Sequence, residues 1–90
     1  MEIYKMLVMS TGHITKTTSK LLSEEAVGIV VYKKDEYGWF VVVSDWRDNE
    51  ESIPDDLKTC LAFAEENGCE WLCLDCDGEE YDALPTYSWN

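Results

Sequence analysis

Between Gly68 and Gly78 the chain reads GCEWLCLDCDG, and no other stretch restricts the fold as tightly. Trp71, Leu72, Cys73 and Leu74 form an apolar run with no helix breaker, bounded by glycines. That is the pattern of a buried strand preceded by a helix cap and followed by a turn. Strand alternation puts Trp71, Cys73, Asp75 and Asp77 on one face and Leu72, Leu74 and Cys76 on the other. The strand therefore has an apolar half and an acidic exit.

Upstream, Ile3 to Met9 is a nearly continuous apolar run broken by Lys5, which predicts a first strand covered on both faces and hence central in a sheet. Ser10 to His13 make a turn, and Thr15 is placed to cap a short helix that ends near Glu25. Gly28 to Lys34 and Gly38 to Ser44 have hairpin spacing across Asp35, Glu36 and Tyr37. Ser44 to Ser52 reads as a solvated loop. Pro54, Asp55 and Asp56 then suit the start of a helix and Gly68 its C-terminal cap, with Leu57, Cys60, Leu61 and Ala64 at i, i+3, i+4 and i+7. Leu84, Pro85, Tyr87 and Trp89 are too apolar for a free tail and are expected to pack back on the domain.

The order strand, helix, strand, strand, helix, strand predicts an α+β fold of the ferredoxin-like, split βαβ (βαββαβ) type. In it an antiparallel sheet carries both helices on one face, with the first and third strands central and parallel. A related α+β sandwich, with the C-terminal segment as a fifth strand, is the alternative. Residues 1–90 read as a single domain, large enough for one modest core. An apolar fraction of 46% excludes a disordered chain. The first residues have neither a basic leader nor a long apolar run, which predicts a cytoplasmic protein with reduced thiols and no membrane partner.

Net charge is −12, and it is unevenly spread. Through Lys34 there are three acids against five lysines; from Asp35 onward sixteen acids face only Arg47 and Lys58. Such a surface repels phosphate backbones, so direct nucleic-acid binding is not expected. It favours a basic protein partner instead, with solubility as the bland reading of the same charge. The residues predicted to meet that partner are Asp45, Asp48, Glu50, Glu51, Asp55 and Asp56 in one group and Asp75, Asp77, Glu79, Glu80 and Asp82 in the other.

Two chemical readings compete with this one. In a ferredoxin-like topology His13, Asp45 and Cys69 share one end of the sheet, so thiol, imidazole and carboxylate could form the site of a small Cys/His-dependent hydrolase or transferase, with Ser10 or Thr11 in place of the thiol. The three converge only if that topology holds. Metal binding is the second. Cys69, Cys73 and Cys76 have a suggestive spacing, but on a strand the first two lie roughly 13 Å apart and the last two point to opposite faces, so one ion cannot collect them. Asp75, Asp77 and Glu79 offer hard oxygens for a cation, although the glycine falls at the fourth place of the loop and not the sixth. No cofactor is expected. Tyr4, Trp39 and Phe40 could be cast as base-stacking residues of a ferredoxin-like RNA-binding domain, against which the missing basic surface speaks.

The motifs STGHIT (Ser10 to Thr15), YGWF (Tyr37 to Phe40), IPDDL (Ile53 to Leu57), GCxW (Gly68 to Trp71), DxDG (Asp75 to Gly78) and LPTYSW (Leu84 to Trp89) run in order over nearly the whole chain. In this set the chain resembles a family of small uncharacterised bacterial, plasmid and phage proteins with a domain of unknown function. The resemblance implies a mobile-element setting and brings no catalytic residue. Together with the charge it suggests a nucleic-acid mimic, an acidic non-enzymatic inhibitor or regulator of the anti-defence kind (anti-CRISPR or anti-restriction type). An exposed apolar sheet face, common in such architectures, would add a homodimer.

Overall fold

The computed structural model describes residues 2–89. Four strands, β1 (Met6–Ser10), β2 (Val31–Lys34), β3 (Gly38–Val42) and β4 (Trp71–Asp75), alternate with two α-helices, α1 (Lys16–Ser23) and α2 (Asp55–Glu66). Short 3-10 segments cover Thr11–His13 and Trp46–Ser52, the second kinked at Asn49. The fold is a small α+β domain with a four-stranded mixed sheet.

Strand order differs from the ferredoxin-like expectation. The sheet runs β1-β4-β3-β2, with β1 parallel to β4 and the other pairs antiparallel. The central strands are β3 and β4, and β1 lies at the edge. Burial explains the exchange. Leu72 and Leu74 are buried in the core under the helices and Cys73 is buried between the flanking strands, as a central position requires, whereas Met6 and Val8 on β1 are exposed. The outer edge of β1 is sheltered at one end by the chain beyond β4: Ser10 N donates to Glu79 O at 2.9 Å and Tyr81 Oη to Val8 O at 3.0 Å. Ile3 and Tyr4, expected in this strand, are exposed and precede it.

Both helices cover the same face. Leu7, Leu72, Val41 and Val31 stand in register across the sheet and share one apolar cluster with Leu22, Leu57, Leu61 and Ala64. The predicted stripe of α2 is buried throughout. The helix closes as expected: Gly68 is left-handed at φ 71°, Gly68 N donates to Glu65 O and Cys69 N to Ala64 O, which satisfies two terminal carbonyls before the chain enters β4. Thr15 caps α1, accepting from Thr18 N, and Asp56 reinforces the cap from α2 by accepting from Thr15 N at 2.7 Å and Thr18 Oγ1 at 2.8 Å. The closing segment packs back on the domain: Leu84 is buried, Tyr87 N donates to Gly12 O and Trp89 Nε1 to Ile14 O.

Candidate functional site

The sheet has two ends, and they decide which chemistry-bearing groups meet. Because β1 and β4 are parallel, Ser10 pairs with Asp75, so His13 lies beyond the end where β4 leaves the sheet. Cys69 precedes β4 and lies at the opposite end, where Trp71 N donates to Lys5 O. Asp45 follows β3 at that same far end, next to the bond from Val43 N to Glu70 O. His13 is thus removed from Cys69 and Asp45 by about the length of a five-residue strand, roughly 13 Å at 3.3 Å per residue. The structure does not bring the three together, because β1 runs parallel to β4 and β3 runs antiparallel to both, so the exit of β1 is opposite the exit of β3 and the entry of β4.

His13 is instead a clamp. Its ring is 1% exposed, and both nitrogens face backbone: Nδ1 is 2.8 Å from Pro85 O and Nε2 accepts from Tyr81 N at 2.9 Å. A carbonyl can only accept, so Nδ1 carries the proton and Nε2 does not. Neither nitrogen is left to activate a hydroxyl. Ser10 is buried and its Oγ accepts from Gly12 N. Three thiols, Cys60, Cys69 and Cys73, are buried, and only Cys76 is exposed. Burial, with Asp56 nearby, pushes the Cys60 thiol up to about 12, and burial also raises Cys73, so both remain protonated near neutrality.

At the exit of β4 the acids gather. Asp75 is paired with Lys34 of β2, and its other oxygen accepts from Asp77 N at 2.8 Å. The Lys34 ammonium, then the Asp77 amide, hold the Asp75 carboxyl below the usual carboxylate range, and the same pairing raises Lys34. Asp75, Cys76 and Asp77 carry donor atoms within 4.8 Å of one another, but a cation there would have to displace the Lys34 ammonium from Asp75. Glu79, the third oxygen donor proposed from the sequence, is exposed outside that group.

Asp77, Glu79, Glu80 and Asp82 project from the segment after β4, and all four are exposed. The hairpin turn of Asp35 and Glu36 joins them, since Gly38 pairs with Asp75 and Cys76 N donates to Tyr37 O at 2.8 Å. None of these six carboxylates takes part in an ion pair among the described residues. Asp35 and Glu36 were missing from the predicted set. They read as turn residues, and only the β3–β4 pairing reveals which loop they adjoin.

The expected partner-binding acids therefore divide. Asp45, Asp48, Glu50 and Glu51 are exposed at the far end, where Ser52 Oγ accepts from Gly28 N and Arg47 stands among them, paired with Glu65. Asp55 is exposed and pairs with Lys58, while Asp56 is half-buried with both oxygens engaged on α1. Asp56 and Asp75 serve the fold.

A protein-family model described as "Family of unknown function (DUF5983) C-terminal domain" matches residues 6–89. No curated protein and no solved structure matches the chain.

Proposed function

The chain belongs to the DUF5983 C-terminal domain family, whose function is unknown, and from that footing we propose that it is a non-enzymatic binding module that offers its acidic surface to a basic protein. The observation that carries this reading is the placement of Asp35, Glu36, Asp77, Glu79, Glu80 and Asp82 at one end of the sheet, none of them in an ion pair among the described residues. Unpaired carboxylates held on a rigid support attract a cationic surface at long range and fix its approach. A surface built to grip phosphates is the natural complement, because it carries the clustered Lys and Arg that replace counterions on nucleic acid. The motif set adds a mobile-element setting, in which such a mimic would act as an anti-defence inhibitor or regulator. The acids at the far end form a second, weaker contact, since Arg47 stands among them.

Competition against duplex DNA tests the proposal. Binding to a basic nucleic-acid-binding protein should be displaced by DNA and weaken steeply as salt rises. Neutralising Asp77, Glu79, Glu80 and Asp82 to their amides should reduce affinity at least about tenfold at low salt, a loss of about 1.4 kcal/mol or more. Affinity unchanged by the four amides would refute this reading. The Cys/His-dependent alternative has no convergent site to support it.

A further inference from the structure

Among the described residues, no layer of the chain covers the sheet face turned away from the helices. Register places Met6 and Val8 of β1, Trp71 of β4, Phe40 of β3, and Val30 and Tyr32 at β2 on this side. Met6 is 44% exposed, Val8 42%, Val30 51% and Tyr32 56%. Tyr32 and Trp71 lie tilted at 6.0 Å, and with Met6 and Phe40 they line a shallow hollow of ≈ 290 Å³.

The charges on this face cancel. Among the residues that the strand register puts on this face, the ionised side chains are Lys34 and Asp75, which are paired with each other, and the Lys34 ammonium lies 5.9 Å from the centre of the Phe40 ring. A chain of net charge −12 thus has an apolar strand surface whose one carboxylate, Asp75, is paired. We propose that two copies of the chain associate face to face through this sheet surface, making a four-layer sandwich with the helices outside. This does not rest on the function proposed above.

A second copy fits for two reasons. The first is charge. Two acidic molecules repel each other wherever their carboxylates meet, and this face lets them meet without opposing carboxylates, whereas a basic partner finds no anionic handle on it. The second is area. Met6, Val8, Val30 and Tyr32 are each about half exposed and, with the partly exposed Phe40 and Trp71, present roughly 400 to 500 Å² of largely apolar surface, the area of a weak interface at the low end of the size range. A two-fold contact of twisted sheets brings each hollow against the same residues of the other copy. The acidic ends stay outside and are doubled.

Sedimentation equilibrium of the full chain from about 1 µM to about 1 mM reads the association directly. Mass should rise from 10.4 kDa toward twice that value, and the dimer should tighten with salt as residual repulsion is screened. Salt weakens the basic-partner contact instead, so the two readings succeed or fail separately. Tyr32→Asp should weaken self-association at least tenfold. Should that variant not fold, methyl spectra of the unaltered chain decide: Met6 and Val8 signals should shift with concentration while that of Met9, fully buried on the helix side, should not. A 10.4 kDa species at every concentration, a dimer unaffected by Tyr32→Asp, or shifts confined to other surfaces would each overturn the proposal.

Discussion

His13 illustrates how a residue type can mislead when its partners are distant in sequence. A single histidine in a turn, in a chain with several cysteines, invites a catalytic reading. Its hydrogen-bond partners are 68 and 72 residues away and are both main chain, so the ring ties the first turn to the closing segment. His13→Ala should lower unfolding free energy by about 2–4 kcal/mol, because a cavity forms at a buried ring and the Pro85 carbonyl and Tyr81 amide lose their partner. Urea unfolding measures that loss, and limited proteolysis should show residues 81–89 cleaved first. The thiols make a second test at this scale. With an aromatic disulfide reagent, one thiol should react quickly in the native protein and three only on unfolding; the fast phase should vanish in Cys76→Ser. A second fast thiol would contradict the burial of Cys69 and Cys73.

Elements were legible in the sequence wherever the determining pattern is local. The stripe of α2, its glycine cap, the Thr15 cap and the Leu72–Leu74 core of β4 all follow from short-range spacing, and each is present. Strand order was not legible, because the apolar runs of β1 and β4 look alike and nothing local says which one the other strands enclose. That choice depends on distant contacts, such as the shelter that Glu79 and Tyr81 give to the β1 edge. The candidate site follows the same choice: an acidic exit to β4 is visible in the sequence, but its separation from Asp45 and its junction with Asp35 and Glu36 follow from the direction in which β3 pairs with β4. Gly38 is where the observed pairing can be tested. At φ +155° it lies so close to β4 that a Cβ would sit 1.6 Å from Leu74 O, and that atom is main chain of a central strand, not the end of a flexible side chain. Gly38→Ala should cost at least about 3 kcal/mol or abolish folding, read as a lowered melting temperature. A neutral outcome would mean that β3 and β4 do not pair in this register.

For the whole molecule the dominant fact is unbalanced charge. Only three ion pairs occur among the described residues of a chain with nineteen acids, and Lys34–Asp75 alone joins two strands. Folding brings the remaining carboxylates closer together, so the compact state carries repulsion that the unfolded chain partly escapes. Added salt should therefore stabilise the fold: the urea midpoint at pH 7 should rise between about 0.02 and about 0.3 M sodium chloride with no change in slope. Titration isolates the one strand-linking pair from this background. The Asp75 pKa is lowered in the fold, so its contribution is complete above the unfolded value of about 3.9 and disappears as pH falls through the folded one. The Lys34 pKa is raised, so its contribution is complete below the unfolded value of about 10.4 and disappears as pH rises through the folded one. Asp75→Asn should then show a stability deficit that is constant between about pH 5 and 9 and shrinks outside that window. Within it, the response of the unaltered chain to salt reports net repulsion; a midpoint that fell with salt would mean that attractive pairs outweigh that repulsion and that the acids are neutralised in a way this fold does not provide.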